Sequence, residues 1–166
     1  MTSRTTAFCI FCGLVLLAIA HVVYYYPLMP AMMASHFDFA GQANGWMDKS
    51  SFMGVYAATV GVIALIFFAM SLVMQKIPAW MMNLPNKDYW LAPERRDDTY
   101  RRLSASMMWI GNATLLFMIA CMQITFRTNL QPAWNPSTAF LTTIGSFVAV
   151  VLAWTVVYLY SFRLPK

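Results

Sequence analysis

Residues 52–74 read FMGVYAATVGVIALIFFAMSLVM, without one Lys, Arg, Asp or Glu. Crossing roughly 30 Å of hydrocarbon takes about 20 mainly apolar residues in a helix. Three further segments share this length and character: 7–26, 103–124 and 139–162. No water reaches the middle of a bilayer, so each segment must satisfy its own backbone groups and is expected to be helical. Composition agrees, since 60% of the 166 residues are hydrophobic and 10% are charged, with mean hydropathy +0.59. A soluble domain carries roughly 25% charged residues. The expected fold is an all-α membrane protein of four transmembrane helices, one membrane domain over residues 1–166.

Arg4 followed by an apolar run and Ala18-Ile19-Ala20 has the layout of a signal peptide. The run continues to Tyr24-Tyr25-Tyr26, which suits an interfacial aromatic belt, so an uncleaved anchor is expected. Orientation follows from the basic residues. Arg4, Lys76, Lys87, Arg95, Arg96, Arg101, Arg102, Arg163 and Lys166 fall on one side of a four-span chain, against Lys49 and Arg127 on the other. The Lys/Arg-rich side faces the cytoplasm. Both termini and the second loop, residues 75–102, are therefore expected inside a bacterial inner membrane, and the first loop, residues 27–51, outside.

The net charge of +5 is explained by these boundary positions. No basic stripe interleaved with stacking aromatics is present, so nucleic acid is not an expected partner. Cys9 and Cys12 form a C-x-x-C within an apolar run. Redox cysteines need an exposed, electropositive setting, so these are read as small packing residues on adjacent helix turns. No internal repeat is evident, and the unlike loops argue against an inverted-repeat transporter.

The outer loop carries Pro27-Leu28-Met29-Pro30, then Ser35-His36-Phe37-Asp38-Phe39-Ala40-Gly41-Gln42-Ala43-Asn44-Gly45-Trp46-Met47-Asp48-Lys49. Pro27 has no N–H to continue a helix. Gly41 and Asn44-Gly45 read as turns, where positive φ is cheap. The loop is too apolar to be floppy. A compact cap is expected on the outer surface, with Trp46 at the headgroup level.

Pro27, Pro30, His36, Phe37, Gly41, Gly45, Trp46 and Lys49 form a pattern that resembles the bacterial membrane domain of unknown function found in SdpI-type immunity proteins (the "DUF sixteen forty-eight" family). The resemblance covers about a quarter of the chain. The stretch from Leu84 to Arg96 is similar to short proteobacterial members of this group. SdpI-type proteins are longer and have further helices. The resemblance implies a non-catalytic immunity or sensing role.

The candidates for chemistry are few. His36, Asp38 and Asp48 are metal-capable, but a zinc site wants three or four ligands, usually His or Cys. His36 is instead expected to be a hydrogen-bonded hinge of the loop. His21 is an imidazole within a span, where ionisable groups are costly and often functional. A neutral His bonded to a neighbouring helix is expected, with no second ligand for a haem. Asn112, Thr114 and Gln123 read as interhelical hydrogen-bond glue. No nucleophile or phosphate-cradling motif is present.

In the second loop, Ile77–Leu84 is short, apolar and Trp-bearing, and reads as interfacial. Pro93 suits a first helical turn, and Glu94 complements a helix N-terminus. Asp97 and Asp98 stand four residues before Arg101 and Arg102. Asn86, Tyr89, Trp90, Pro93, Glu94, Arg95, Arg96, Arg101 and Arg102 therefore mark a membrane anchor or a docking surface for a protein partner or anionic lipid heads.

The expected function is that of a non-catalytic envelope protein, an immunity or sensing factor whose outer loop meets an external peptide or membrane stress. The alternative is an accessory subunit within a larger membrane complex, or a homo-oligomer. A membrane enzyme using a metal at His36 and Asp38 is a third reading. No cofactor is expected.

Overall fold

The computed structural model describes residues 4–164. Helix α1 spans Arg4–Tyr25, α2 Lys49–Val73, α4 Arg96–Leu130 and α5 Ser137–Ser161, with one short helical turn, α3, at Lys87–Trp90. The four long helices are long and apolar enough to cross a membrane, making this a multi-pass membrane protein. The α1–α2 and α4–α5 connections meet at one end, where Asn129 and Asn135 bond to the first connection. The α2–α4 connection meets the end of α5 at the other, where Asn86 and Trp90 bond to Phe162.

The all-α expectation fails in the α1–α2 connection. Strands β1 (Met32–Phe37) and β2 (Ala43–Asp48) pair as an antiparallel hairpin. The reason is backbone satisfaction: a compact cap buries N–H and C=O groups, and strand pairing supplies their partners. The two faces differ, since Met33 is buried while its neighbour Met32 is exposed. Asn44-Gly45, read as a turn, lies within β2. The chain reverses at Gly41, whose φ is +80°. Gly41 N–H donates to the Asp38 carbonyl at 2.9 Å, and Gln42 N–H to the Asp38 carboxylate at 2.8 Å. Lys49 opens α2 instead of closing the loop, with Asp48 as its N-cap.

Helix α4 outruns its apolar segment, residues 103–124, at both ends. Its 35 residues extend about 52 Å at 1.5 Å per residue, well beyond the roughly 30 Å of hydrocarbon. It begins at Arg96, so Pro93 and Glu94 lie in the preceding turn and not in the first helical turn. Asp98 pairs with Arg101 at 2.8 Å and more loosely with Arg102 at 3.7 Å.

Helix α4 is also the axis of the bundle. It packs on α1, α2 and α5, while α1 and α2 pack on each other more lightly. Phe11, Ala18, Tyr56, Val60, Met108, Leu115 and Phe126 form the main core between α1, α2 and α4. A second cluster, Met74, Leu84, Tyr100, Leu103 and Phe162, staples the α2–α4 connection to the end of α5. None of the α5 residues is buried, and Leu152, Val156 and Val157 face outward. Cys9 and Cys12 are exposed on the outside of α1 and do not pack between helices as expected.

Gly111 sets the closest approach of the three core helices. A Cβ there would lie 2.9 Å from the Phe67 ring and 3.1 Å from that of Phe11. Gly145 on α5 has nothing within 4 Å of the same atom. Gly111→Ala should destabilise the bundle by about 1–3 kcal/mol through overpacking, and Gly145→Ala should stay within about 0.5 kcal/mol of wild type. Unfolding of the two variants in the same micelles measures this. Equal losses would contradict the packing around Gly111.

Candidate functional site

The hairpin is fastened to the helices residue by residue. Helix α1 ends at Tyr25, and Pro27 sits in the 3-10 turn Tyr26–Leu28 that follows. Lys49 returns to this turn: its ammonium donates to the Met29 carbonyl at 3.4 Å and lies 4.8 Å from the Tyr26 ring centroid. The last residue of the outer-loop pattern thus returns to the turn that holds the first, Pro27. Phe37 packs on Phe140 of α5, with centroids 5.7 Å apart. Gly45 lies opposite His36 in the register, and a Cβ there would sit 3.0 Å from the imidazole. That contact explains the glycine without any turn.

His36 is not the hydrogen-bonded hinge expected of it. It is exposed on β1, and among the described residues its ring takes no hydrogen bond. Asp38 caps the hairpin turn and Asp48 caps α2. Among the described residues no three His, Cys, Asp or Glu side chains group as metal ligands.

The decisive partner of the hairpin comes from α4. Ala34 N–H donates to Asn129 Oδ1 at 2.8 Å, and Asn129 Nδ2 donates back to the Ala34 carbonyl at 3.1 Å. The amide side chain thus pairs with β1 as another strand would. Asn129 Nδ2 also reaches the Thr125 carbonyl at 2.9 Å, which fixes its rotamer. Asn135 Nδ2 donates to the Ala40 carbonyl at 2.9 Å, and its Oδ1 accepts from Ser137 N–H at the start of α5.

Between the hairpin and residues 131–136 lies an open groove of 640 Å³. Its aromatic walls are Trp46, Trp134 and Phe37, and Gln42, Asn129 and Asn135 supply amides. Arg127 stacks 4.2 Å from the Trp134 ring centroid. Pro30 and Gly41 of the outer-loop pattern also line the groove. A concave surface of rings and amides of this kind can seat a ligand. Sequence reasoning missed Asn129, Trp134 and Asn135. The available signal was the Asn-, Pro- and Trp-rich run 129–136, similar in composition to the first loop.

Beneath the hairpin, His21 is buried among α1, α2 and α4. Its Nε2 lies 2.9 Å from Gln123 Oε1, and its Nδ1 lies 3.2 Å from the Tyr56 hydroxyl. Gln123 Nε2 donates to the Tyr25 hydroxyl at 2.8 Å. With Gln123 Oε1 as acceptor, Nε2 carries the proton and Nδ1 accepts from Tyr56, so a neutral ring is satisfied on both sides. Gln123 and Asn112, which donates to the Ala7 carbonyl at 3.0 Å, are interhelical as expected. Thr114 instead bonds the Ile110 carbonyl of its own helix.

The second set of sequence candidates gathers at the opposite end. Asn86, in the left-handed region at φ 52°, and Trp90 both donate to the Phe162 carbonyl, at 2.9 and 2.7 Å. Arg95 stacks 4.0 Å from the Tyr89 ring centroid and donates to the Tyr89 carbonyl. Arg96 lies over Tyr100, and Arg102 over Trp90. Arg101 is turned to Asp98. Pro93 and Glu94 belong only to the connecting turn. The two candidate sets are therefore separate surfaces at opposite ends of the bundle.

Residues 13–60 match a family described as a domain of unknown function (DUF1648). That segment comprises the second half of α1, the hairpin and the first half of α2. No curated protein and no solved structure matches the chain.

Two outcomes follow from the hairpin's fastening. Gly41→Ala places a side chain at φ +80° and a Cβ 2.4 Å from Asn135 Oδ1. The left-handed backbone alone costs about 1–2 kcal/mol. The variant should unfold at lower temperature than Gly54→Ala, whose added Cβ meets nothing within 4 Å. Equal unfolding temperatures would contradict the turn.

Hydrogen bonds from the Ser50 side chain and Ser51 N–H pull the Asp48 carboxyl down to about 2. Because the folded value is depressed, its stabilising contribution is complete above the ordinary carboxylate range and is lost as pH falls toward 2. A carboxyl-carbon NMR titration should place the Asp48 midpoint near 2. A midpoint near 4 would mean that Asp48 does not cap α2.

Proposed function

We propose that this chain is a non-catalytic receptor of the bacterial inner membrane, acting in immunity or envelope sensing. The hairpin faces outward, and the N-terminus, second loop and C-terminus face the cytoplasm. The groove between the hairpin and residues 131–136 receives an external peptide. The groove itself carries this reading: 640 Å³, aromatic walls and amide groups. Its rings suit apolar side chains, and the Gln42 amide, unlike those of Asn129 and Asn135, is free among the described residues to meet a peptide backbone. Residues 13–60 match a domain of unknown function (DUF1648), and the immunity role is taken from the resemblance of the outer-loop residues to SdpI-type proteins. The distribution of Lys and Arg supports the orientation.

The alternative reading, an accessory subunit or homo-oligomer, draws on one observation. Helix α5 has no buried residue, so its outer face is open to lipid or to another protein.

Orientation is tested on a chain with Cys9, Cys12 and Cys121 changed to Ser and Phe39→Cys at the hairpin tip, where Phe39 is 99% exposed. A membrane-impermeant maleimide should label intact cells, and a reporter joined after Lys166 should read as cytoplasmic. Labelling only after lysis would overturn the orientation. Ligand binding is tested with the full chain in lipid nanodiscs and a synthetic amphipathic Leu/Lys peptide. Saturable binding above that of empty nanodiscs should weaken at least about tenfold in Trp46→Ala/Trp134→Ala, the scale of two interface anchors. Cells that express the chain should also survive the peptide better than cells expressing that variant. Equal binding and equal survival would remove the peptide-receptor reading.

A further inference from the structure

At the basic end, α4 and α5 part to leave a small pocket of 130 Å³. Arg102 and Ser106 of α4 line it, with Trp154, Tyr158 and Ser161 of α5. Hydrogen-bond donors converge there unspent. Arg102 is half-buried, and its nearest carboxylate, Asp98, lies 3.7 Å away, beyond the 2.7–2.9 Å of a charge-assisted hydrogen bond. Among the described residues, the guanidinium of Arg102, the Trp154 indole N–H and the Tyr158 and Ser106 hydroxyls have no hydrogen-bond partner. No acidic side chain lines the pocket. Such a set wants an acceptor with several oxygens and negative charge.

The surroundings say which one. The same end bears Lys76, Lys87, Arg95, Arg96, Arg101 and Arg163. Val157, which is 64% exposed on α5, also lines the pocket. Farther along the same α4–α5 seam lies an apolar groove of 350 Å³, walled by Ala113, Leu116, Phe117, Phe147 and Val150. From Arg102 to Ala113 is about 16 Å along α4 at 1.5 Å per residue. That is about one leaflet of a roughly 30 Å hydrocarbon core. An acyl chain from a head at Arg102 therefore runs along the α4–α5 seam and reaches the near end of the groove, at Ala113 and Val150, with its tip.

We propose that the α4–α5 seam is a binding site for an anionic phospholipid. Arg102, Trp154, Tyr158 and Ser106 hold the phosphodiester, and one acyl chain follows the seam past Val157 toward Ala113 and Val150. A free phosphate has the same oxygens but no chain to lie along the seam, so the site is committed to the lipid. Occupation would clamp α5, which buries no residue of its own, against α4. Arg102 would thereby be a lipid ligand, in contrast to Arg101, which is 65% exposed and paired with Asp98.

The test uses the full chain in a nonionic detergent, with dioleoyl phosphatidylglycerol or dioleoyl phosphatidylcholine added. Native mass spectrometry counts bound lipid, and thermal unfolding measures the stabilisation. Phosphatidylglycerol should bind at least about fivefold more tightly than phosphatidylcholine, the ratio expected from one engaged arginine. Arg102→Gln should abolish this preference, and Arg101→Gln should keep it. Each variant's unfolding midpoint without lipid establishes that it folds. Trp154→Phe removes one donor with little change in packing, and should weaken phosphatidylglycerol binding even if Arg102→Gln fails to fold. Inorganic phosphate and glycerophosphoglycerol at equal concentration should not displace the lipid. Displacement by either would make this an anion site and overturn the proposal. So would equal binding of the two lipids, or equal losses in Arg101→Gln and Arg102→Gln. None of these outcomes depends on the hairpin groove.

Discussion

A polar side chain placed in hydrocarbon has no water to bond, so it must find its partner within the protein. Six polar side chains of helix α4, within the span and at its two ends, each bond another segment of the chain, while Thr114, Thr125 and Thr128 bond carbonyls of their own helix. Thr99 bonds the Trp90 carbonyl, and Tyr100 that of Ile77. Ser104 bonds Ser71 of α2, and Asn112 bonds Ala7 of α1. Gln123 holds His21 and Tyr25, and Asn129 holds Ala34 of the hairpin. Hydrophobic burial gives little direction in a bilayer, because lipid tails are as apolar as leucine. These bonds therefore set the rotation of α1 and α2 about α4 and the seat of the hairpin. Each contributes only about 0.5–1.5 kcal/mol net, and leaving such a group unpaired costs more, a cost the bundle bears only at Asn112 Oδ1 among the described residues.

The groove is a consequence of that last bond. Ala34 directs its N–H and C=O away from β2 toward Asn129, which holds the hairpin over the end of α4. Asn135 ties the turn to the start of α5. The space left between these two fastenings is the groove, and Trp46 and Trp134 line it from different parts of the chain. The opposite end is built differently. There the Phe162 carbonyl collects two donors from the α2–α4 connection, and stacked Arg–aromatic pairs fill the surface. One end is aromatic and amide-rich, and the other is cationic.

The long helices were legible because an uncharged run of bilayer length has few other uses. The stop at Pro27 and the turn at Gly41 were legible for the same reason, since each residue type restricts or frees φ. The hairpin was not. Its strands of 6 residues are short, and methionines at both faces blur the alternation that marks a half-buried strand. Asn44-Gly45 carried a turn signal, but the glycine is required by the His36 ring across the hairpin. The groove was beyond reach for a geometric reason: Ala34 and Asn129, like Ala40 and Asn135, lie 95 residues apart in sequence. Only the bundle brings them together.

The account rests on the Asn129–Ala34 pairing, and amide hydrogen exchange of the full chain in lipid nanodiscs tests it. The Ala34 amide should exchange slowly in the wild type. In Asn129→Ala it should exchange faster, with the amides of α1 and α2 unchanged. An Ala34 amide that exchanges as fast as an open loop in the wild type, or that stays slow without the Asn129 side chain, would contradict the account.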